Sequence, residues 1–213
     1  MPKPPPSTLC GDDGKRRCWW CGSDPLYVQY HDTEWGIPVD DDQRLFEKMC
    51  LEGFQSGLSW LTVLKKRESF RRCFDQFDFY AVARYRPAKV ETLLQDARII
   101  RHRGKIESTI NNAKRAIEIV DQHGSLAAFF WQFEPSRPRV ARNRSQIPAI
   151  TDESTALSKS LKKRGWSFVG PTTCYALMQA MGMVNDHVRT CHAWEPIEQA
   201  RRAFERPEFD RPA

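Results

Sequence analysis

Apolar positions recur at helical spacing along nearly the whole chain, with polar and charged residues between them. After an acidic start at Asp40, Asp41 and Asp42, residues Leu45, Phe46, Met49 and Cys50 share one face of a predicted helix. Leu61, Leu64, Phe70 and Phe74 continue at that spacing. Pro87 suits a first helical turn, where its missing amide costs nothing, and Val90, Leu93 and Leu94 form the buried side. The longest stripe is Ile106, Ile110, Ala113, Ile117 and Val120, stopped by Gly124; Ser125 then caps a segment carrying Phe129, Phe130 and Phe133. From Pro135 to Pro148 the period disappears. PSRPRVARNRSQIP holds three prolines and four arginines and reads as a loop, either solvated or lying beside a phosphate backbone. Helicity resumes near Ser154, passes Leu157 and Leu161, and stops at Gly165. The interruption GWSFVG leads to Pro171 and a further helix through Tyr175, Ala176 and Met178 to Gly182. Strand-like alternation is scarce, and neither an internal repeat nor a second domain-sized core shows. The expected fold class is all-α.

Length and charge narrow the picture. A chain of 213 residues suits one main domain with small appendages. The opening MPKPPPSTLCGDDGKRR lacks the apolar stretch of a secretory signal and reads as a disordered leader over 1–17. The closing RRAFERPEFDRPA reads as loose, giving a tail over 193–213 and a helical domain over 18–192. No run approaches 18 consecutive apolar residues, so no membrane span is expected. Thirty-three Lys and Arg against 27 Asp and Glu leave +6 and a pI near 9.0. That favours an anionic partner, nucleic acid first, although an ordinary basic surface has the same balance. Seven cysteines without an export signal imply reduced thiols in a cytosol, some free to bind metal.

Three constellations carry candidate chemistry. Cys18, Cys21 and His31 stand near one end of the chain, and His187, Cys191 and His192 near the other. His187 and Cys191 are four apart, which on a helix puts both on one face, and two more N or S ligands would complete a tetrahedral zinc site. Spacing nominates the C-x-x-C pair Cys18 and Cys21; a redox pair is disfavoured because no βαβ pattern surrounds it, and scattered thiols and surface histidines remain the plain alternative. The second constellation is LEGFQSGLSW, residues 51–60, where Glu52 lies in an apolar, glycine-bearing turn before Trp60. A buried carboxylate needs a cation or donors. That suits a pocket for a cationic or donor-rich planar ligand, with Trp60, Tyr27 and Tyr30 as stacking faces; the alternative is a helix-end glutamate capping free amides. In the third, LKKRGWSFVGPTTCYALMQA, one helix ends at Gly165, a hairpin with Gly170 follows, and a new helix opens at Pro171, Thr172 and Thr173. Amides at Gly170 and the new helix start can face a DNA phosphate, with Lys162, Lys163 and Arg164 adding charge. An ordinary helical hairpin has the same pattern.

Three long blocks then speak together: DPLYVQYHDTEWGIPVDDDQRLFEKMCLEGFQSGLSWLTVLKKRESFRRCF, DARIIRHRGKIESTINNAK and LSKSLKKRGWSFVGPTTCYALMQAMGMVNDHVRTC. In this order they resemble the bacterial DNA-3-methyladenine glycosylase I family from about Cys18 to Cys191, leaving the two tails and the arginine-rich loop unmatched. The resemblance implies an all-α helix-hairpin-helix glycosylase fold with GWSFVG as the hairpin, and DNA contacts at Gly165, Gly170, Thr172, Thr173, Lys163 and Arg164. It implies one structural zinc per chain on Cys18, His31, His187 and Cys191, which replaces the spacing-based choice of Cys21. It assigns base recognition to Glu52, Trp60 and Tyr30, with Tyr27 and Trp20 alongside. The implied activity is hydrolysis of the N-glycosidic bond of 3-methyladenine in alkylated duplex DNA, by base flipping, leaving an abasic site. The implied protein is a monomer in the bacterial cytoplasm, associated with the nucleoid when on DNA.

Two departures matter. Many helix-hairpin-helix glycosylases carry a catalytic aspartate where MVNDHV has Asn185, and Asp186 reads as a neighbour, not a substitute. That absence suits a base made cationic by N3-methylation, which departs neutral without prior protonation. Arg98 stands where the family usually has glycine, leaving open the turn before Ile99 and adding a candidate phosphate contact. Two rival classes are a non-catalytic zinc-stapled DNA-binding module and a zinc hydrolase using His31, His187 and Glu52 around an open metal.

Overall fold

A computed structural model describes residues 6–208; the outermost parts of both expected tails, 1–5 and 209–213, lie outside the described residues. A short antiparallel hairpin, β1 (Thr8–Cys10) and β2 (Arg16–Cys18), pairs Thr8 with Cys18. Helices follow: α1 (Pro25–Thr33), α2 (Asp42–Gln55), α3 (Trp60–Leu64), α4 (Arg67–Cys73), α5 (Phe79–Val82), α6 (Pro87–Gln95) and α7 (Arg103–His123). Then come α8 (Leu126–Trp131), α9 (Asp152–Lys163), α10 (Pro171–Ala180) and α11 (Trp194–Ala203). The described chain is mostly helical.

Local chemistry explains the helix ends. Asp41 accepts the amide of Arg44 at the start of α2, and Ser125 accepts that of Ala128 at the start of α8. Thr151 and Ser154 form a reciprocal capping box on α9. Gly124, with φ of +79°, ends α7 in the left-handed region. The spacing over 61–74 that reads as one helix is divided by the structure into α3 and α4. Along α7 the buried stripe is Ile106, Ile110, Ala113, Ala116 and Ile119, so the expected Ile117 and Val120 are only half-buried.

Both expected tails are corrected where they are described. The leader forms the β-hairpin because Arg17 is clamped by Asp13 and Asp32, each at 2.7 Å. Beyond residue 193 the chain forms α11, whose Arg201 donates to the carbonyls of Gly182 and Met183 and pairs with Glu134 at 2.8 Å. Apart from Asp13, each partner is distant in sequence, so composition alone made these segments look loose.

The chain divides into two compact units, neither continuous in sequence. No linker or shift of composition marks the division, because each unit is assembled from separated segments. One comprises residues 39–133, 150–177 and 206–208. Its interior is rich in aromatic rings, including Phe46, Phe54, Phe70, Phe74, Phe129 and Phe130. The other comprises residues 6–38, 134–149 and 178–205. Its core joins Cys18, Ala141, Val188, Cys191 and Ala193, with Trp19, Trp20 and Ile147 packed against them. The arginine-rich loop belongs here: the Ala141 carbonyl accepts the amide of Arg189, and Arg144 lies over the Trp19 ring. Among the described residues, no helix is long and apolar enough to cross a membrane.

Candidate functional site

Four buried side chains meet in the unit containing the hairpin. Cys18 ends β2, His31 lies in the last turn of α1, and His187 and Cys191 lie in turns between α10 and α11. The expected helix under His187 and Cys191 is therefore absent; backbone bonds from Arg189 to Ala141 and from His192 to Arg16 hold the stretch instead. The four ligand atoms lie within 4.8 Å of one another. Cys191 Sγ is 3.4 Å from His31 Nε2 and 3.6 Å from His187 Nδ1, and Cys18 Sγ is 3.6 Å from the same Nδ1.

The outer ring nitrogens are already engaged. His31 Nδ1 lies 2.8 Å from Asp32, and His187 Nε2 donates to the Trp35 carbonyl at 3.0 Å. That directs His31 Nε2 and His187 Nδ1 at the sulfurs as acceptors, as metal-binding imidazoles require. The hydrogen bond to Cys191 and burial push Cys18 up, while the same bond and the two imidazoles outweigh burial and pull Cys191 down. Burial of Asp32 opposes its charge, but bonds from Arg17, His31 and His192 hold it well below the ordinary carboxylate range. Cys21 stays outside the group and donates to the Cys18 carbonyl at 3.2 Å. Two thiols and two oriented imidazoles fit a closed tetrahedral ion such as zinc.

Beside this group stand three of the expected aromatics. Trp20 lies 5.2 Å from Tyr27 and 5.1 Å from His31 between ring centroids, and Tyr27 stacks on Tyr30 at 6.4 Å. Tyr30 is buried, one residue before the ligand His31.

Glu52 and Trp60 belong to the other unit. Glu52 lies in the last turn of α2, not in a loop, and it caps no free amides; it is only 6% exposed. A carboxylate there faces the negative end of the helix dipole, an unfavourable position unless cations compensate. Lys48, one turn earlier, bonds Glu52 Oε1 at 2.7 Å. Lys105 donates to the Phe54 and Ser56 carbonyls at 2.9 and 2.7 Å, capping the end of the helix. Gly57, at φ of +82°, then lets the chain turn back, and Ser59 caps α3 so that it opens on Trp60. The Lys48 ammonium sits 3.2 Å from the centre of the Trp60 ring. Sequence reasoning missed Lys48, although its four-residue spacing from Glu52 on a helix was the available signal.

The expected DNA-facing turn joins α9 to α10. Polar residues of α7 brace it: Asn112 Oδ1 accepts the Ser167 amide, Asn111 donates to the Gly165 carbonyl, and Ser108 donates to that of Ser167. Gly165 has φ of +83°, and Phe168 is also left-handed at +56°. A side chain at Gly170 would meet almost nothing. Lys163, Gly165 and Thr172 are exposed and Thr173 half-buried. Arg164 turns toward the protein, donating to Gln122 and to His123 Nε2 at 2.6 and 2.8 Å. Asn185 is buried and donates to the Trp194 carbonyl and Glu198, while Asp186 accepts from Gln179. Arg98 pairs with Asp96 at 2.6 Å and adopts no left-handed backbone, so the turn before Ile99 forms without glycine.

Comparison with known proteins places this mostly helical chain in a family. The Methyladenine glycosylase family profile matches residues 20–194. DNA-3-methyladenine glycosylase 1 of Escherichia coli (strain K12) is 54% identical over 177 residues, covering 82% of this chain and 95% of that protein. A crystal structure of 3-methyladenine DNA glycosylase I matches with a TM-score of 0.80 at 51% identity, over 83% of this chain and 98% of that one. The Staphylococcus aureus 3-methyladenine DNA glycosylase I structure, which concerns 3-methyladenine recognition, matches with a TM-score of 0.78 at 34% identity, over 81% and 93% of the two chains. The chain belongs to the methyladenine glycosylase family.

Proposed function

We propose that this chain is a DNA repair glycosylase that takes 3-methyladenine out of the duplex stack and hydrolyses its bond to deoxyribose, leaving an abasic site. The observation that carries the reading is the buried Glu52 carboxylate, which holds a positive charge against the face of Trp60. Geometry that binds an ammonium in this way also suits a planar cation, stacked on the ring and hydrogen-bonded to the carboxylate. A neutral adenine forms only the weaker version of both contacts. The resemblance assigns Tyr30, Tyr27 and Trp20 further stacking roles. A base that is already cationic leaves without a proton donor, and the use of Asn185 in packing against α11 is consistent with that.

We assign the Cys18, His31, His187 and Cys191 group to one structural zinc. Four protein donors leave no position for an activated water, and Glu52 is not among them, which disfavours the zinc-hydrolase reading. We assign the connection from α9 to α10 to the DNA backbone as the hairpin of a helix-hairpin-helix fold, with Lys163, the Gly170 amide, Thr172 and Thr173 toward phosphate. A pure binding module would have no use for a buried carboxylate that holds a cation against an aromatic ring.

The deciding experiment is single-turnover release of 3-methyladenine from methylated duplex DNA by Glu52→Gln and Asn185→Ala. Loss of a charged hydrogen bond of roughly 1.5–3 kcal/mol slows excision by about one to two decades in Glu52→Gln, while duplex binding persists. Asn185→Ala stays nearer the parent rate. A parent rate in Glu52→Gln with a dead Asn185→Ala would reverse the assignment.

A further inference from the structure

The groups proposed to receive the base already hold a cation of the protein's own. Lys48 and Glu52 are both buried on α2, their charges 2.7 Å apart, and the same ammonium rests 3.2 Å from the Trp60 ring centre. Atoms of a purine stacked on that face would lie about 3.5 Å from the ring, in the space the ammonium fills. The carboxylate oxygen nearest Lys48 is likewise committed. One ring face and one carboxylate cannot serve both cations at once.

Resting on the reading of Glu52 and Trp60 as the base-holding pair, we propose that Lys48 is an internal occupant of the base site, which an incoming base must displace. The flexible stem of lysine lets its ammonium leave along α2 while its backbone stays in place. A cationic base and a neutral one lose the same Lys48 contacts on entry, so Lys48 weakens both by one common factor, the fraction of molecules in which the site is vacant. Weakly held ordinary bases then fall below useful occupancy, whereas an alkylated cation remains bound. Lys48 thus sets the threshold of the site, and Glu52 sets its preference.

The test uses the full chain and two small probes, a permanently cationic 3,9-dimethyladenine and neutral 3-methyladenine, titrated by calorimetry. Lys48→Met should bind both probes about 30-fold more tightly, the factor corresponding to one desolvated cation–aromatic contact. Lys48→Gln serves the same purpose if the methionine variant does not fold. Independently, in the wild-type protein the Lys48 amine should resist acylation when free and become labelled at saturating cation, as read by peptide mass spectrometry. Unchanged or weaker binding in the variant overturns the proposal. So does tightening confined to the cation, which would mean that Lys48 stays in place and merely repels, and so does a Lys48 that remains protected in the saturated complex. Glu52→Gln made in the Lys48→Met background separates the two readings: if the double variant binds the cation as tightly as Lys48→Met alone, the base-site assignment itself fails.

Discussion

The Lys48–Glu52 pair makes a sharp prediction about stability. At 2.7 Å the two charges attract by about 6 kcal/mol at an effective dielectric of 20, an attraction set against the cost of removing both from water. Their side chains are only 7% and 5% exposed, so solvent screening relieves little when one partner is removed. Lys48→Met leaves a buried carboxylate at the negative end of α2 and should cost about 3–5 kcal/mol. Glu52→Gln retains an amide oxygen able to accept from the ammonium, and should cost about 2–3 kcal/mol. The double variant removes both charges and should lie within about 1 kcal/mol of wild type, because apolar or neutral replacements of a buried pair are often nearly neutral. For a chain of this size each kcal/mol moves Tm by roughly 2–4 °C, so Lys48→Met should melt about 6–20 °C lower and Glu52→Gln about 4–12 °C lower. Thermal and urea unfolding of the four proteins complete the cycle. If both single variants cost less than about 1 kcal/mol and the double variant equals their sum, the two charges are solvated and the pair is not the buried unit described here.

Other predictions follow from separate regions. Purified protein should carry one zinc per chain; Cys18→Ser or His187→Ala should lose it, whereas Cys21→Ser, which only meets the Cys18 carbonyl, should keep it, and equal loss in all three by elemental analysis would refute the ligand set. Gly170→Glu, at a position with room for a side chain, should leave the fold intact and weaken binding to any duplex; retention of wild-type affinity at moderate salt would remove this turn from the DNA interface. His123 is pulled below its ordinary 6.5 by burial and by the Arg164 charge, and Arg164 donates to its Nε2 at 2.8 Å. Since the folded state disfavours the proton, its stabilisation is present above about pH 6.5 and fades as the pH falls below that value; a urea-midpoint difference between wild type and His123→Gln that stays constant from pH 8 to 5 would contradict this. Gly182→Ala should destabilise strongly, because its Cβ would collide with the backbone of Pro38 at φ of +77°, and an unchanged melting temperature would refute the packing there.

Much of the helical pattern was legible because period, caps and glycine stops are local properties of the chain. Ser125, Gly124 and Pro87 act as their types suggest. What escaped depends on partners far away in sequence. Arg17 orders the leader through Asp32, and Arg201 orders α11 through Glu134 and the carbonyls of Gly182 and Met183. The carboxylate of Glu52 was singled out, but its place on the helix and its lysine partner were missed, because two glycines nearby suggested a turn. Geometry also sorted what spacing confused: Cys21 fits the C-x-x-C pattern, yet its sulfur points at a carbonyl, while His31, thirteen residues from Cys18, faces the sulfurs.

The Cys/His group also bears on the order of assembly. Cys18 and His187 touch although 169 residues separate them, so an ion held there ties one early and one late segment of the polypeptide. A ribosome releases the first two donors long before the last two, and until then the group is only half made. The unit built from residues 6–38, 134–149 and 178–205 therefore cannot close until its last segment has been made, by which point residues 39–133 and 150–177 of the other unit are already complete. Once closed, a clasp over so long a loop restricts the unfolded chain by about 5 kcal/mol of entropy on the cross-link scale. If the group holds the proposed ion, shortage of metal should then be felt first as chains whose hairpin-containing unit stays open to proteases.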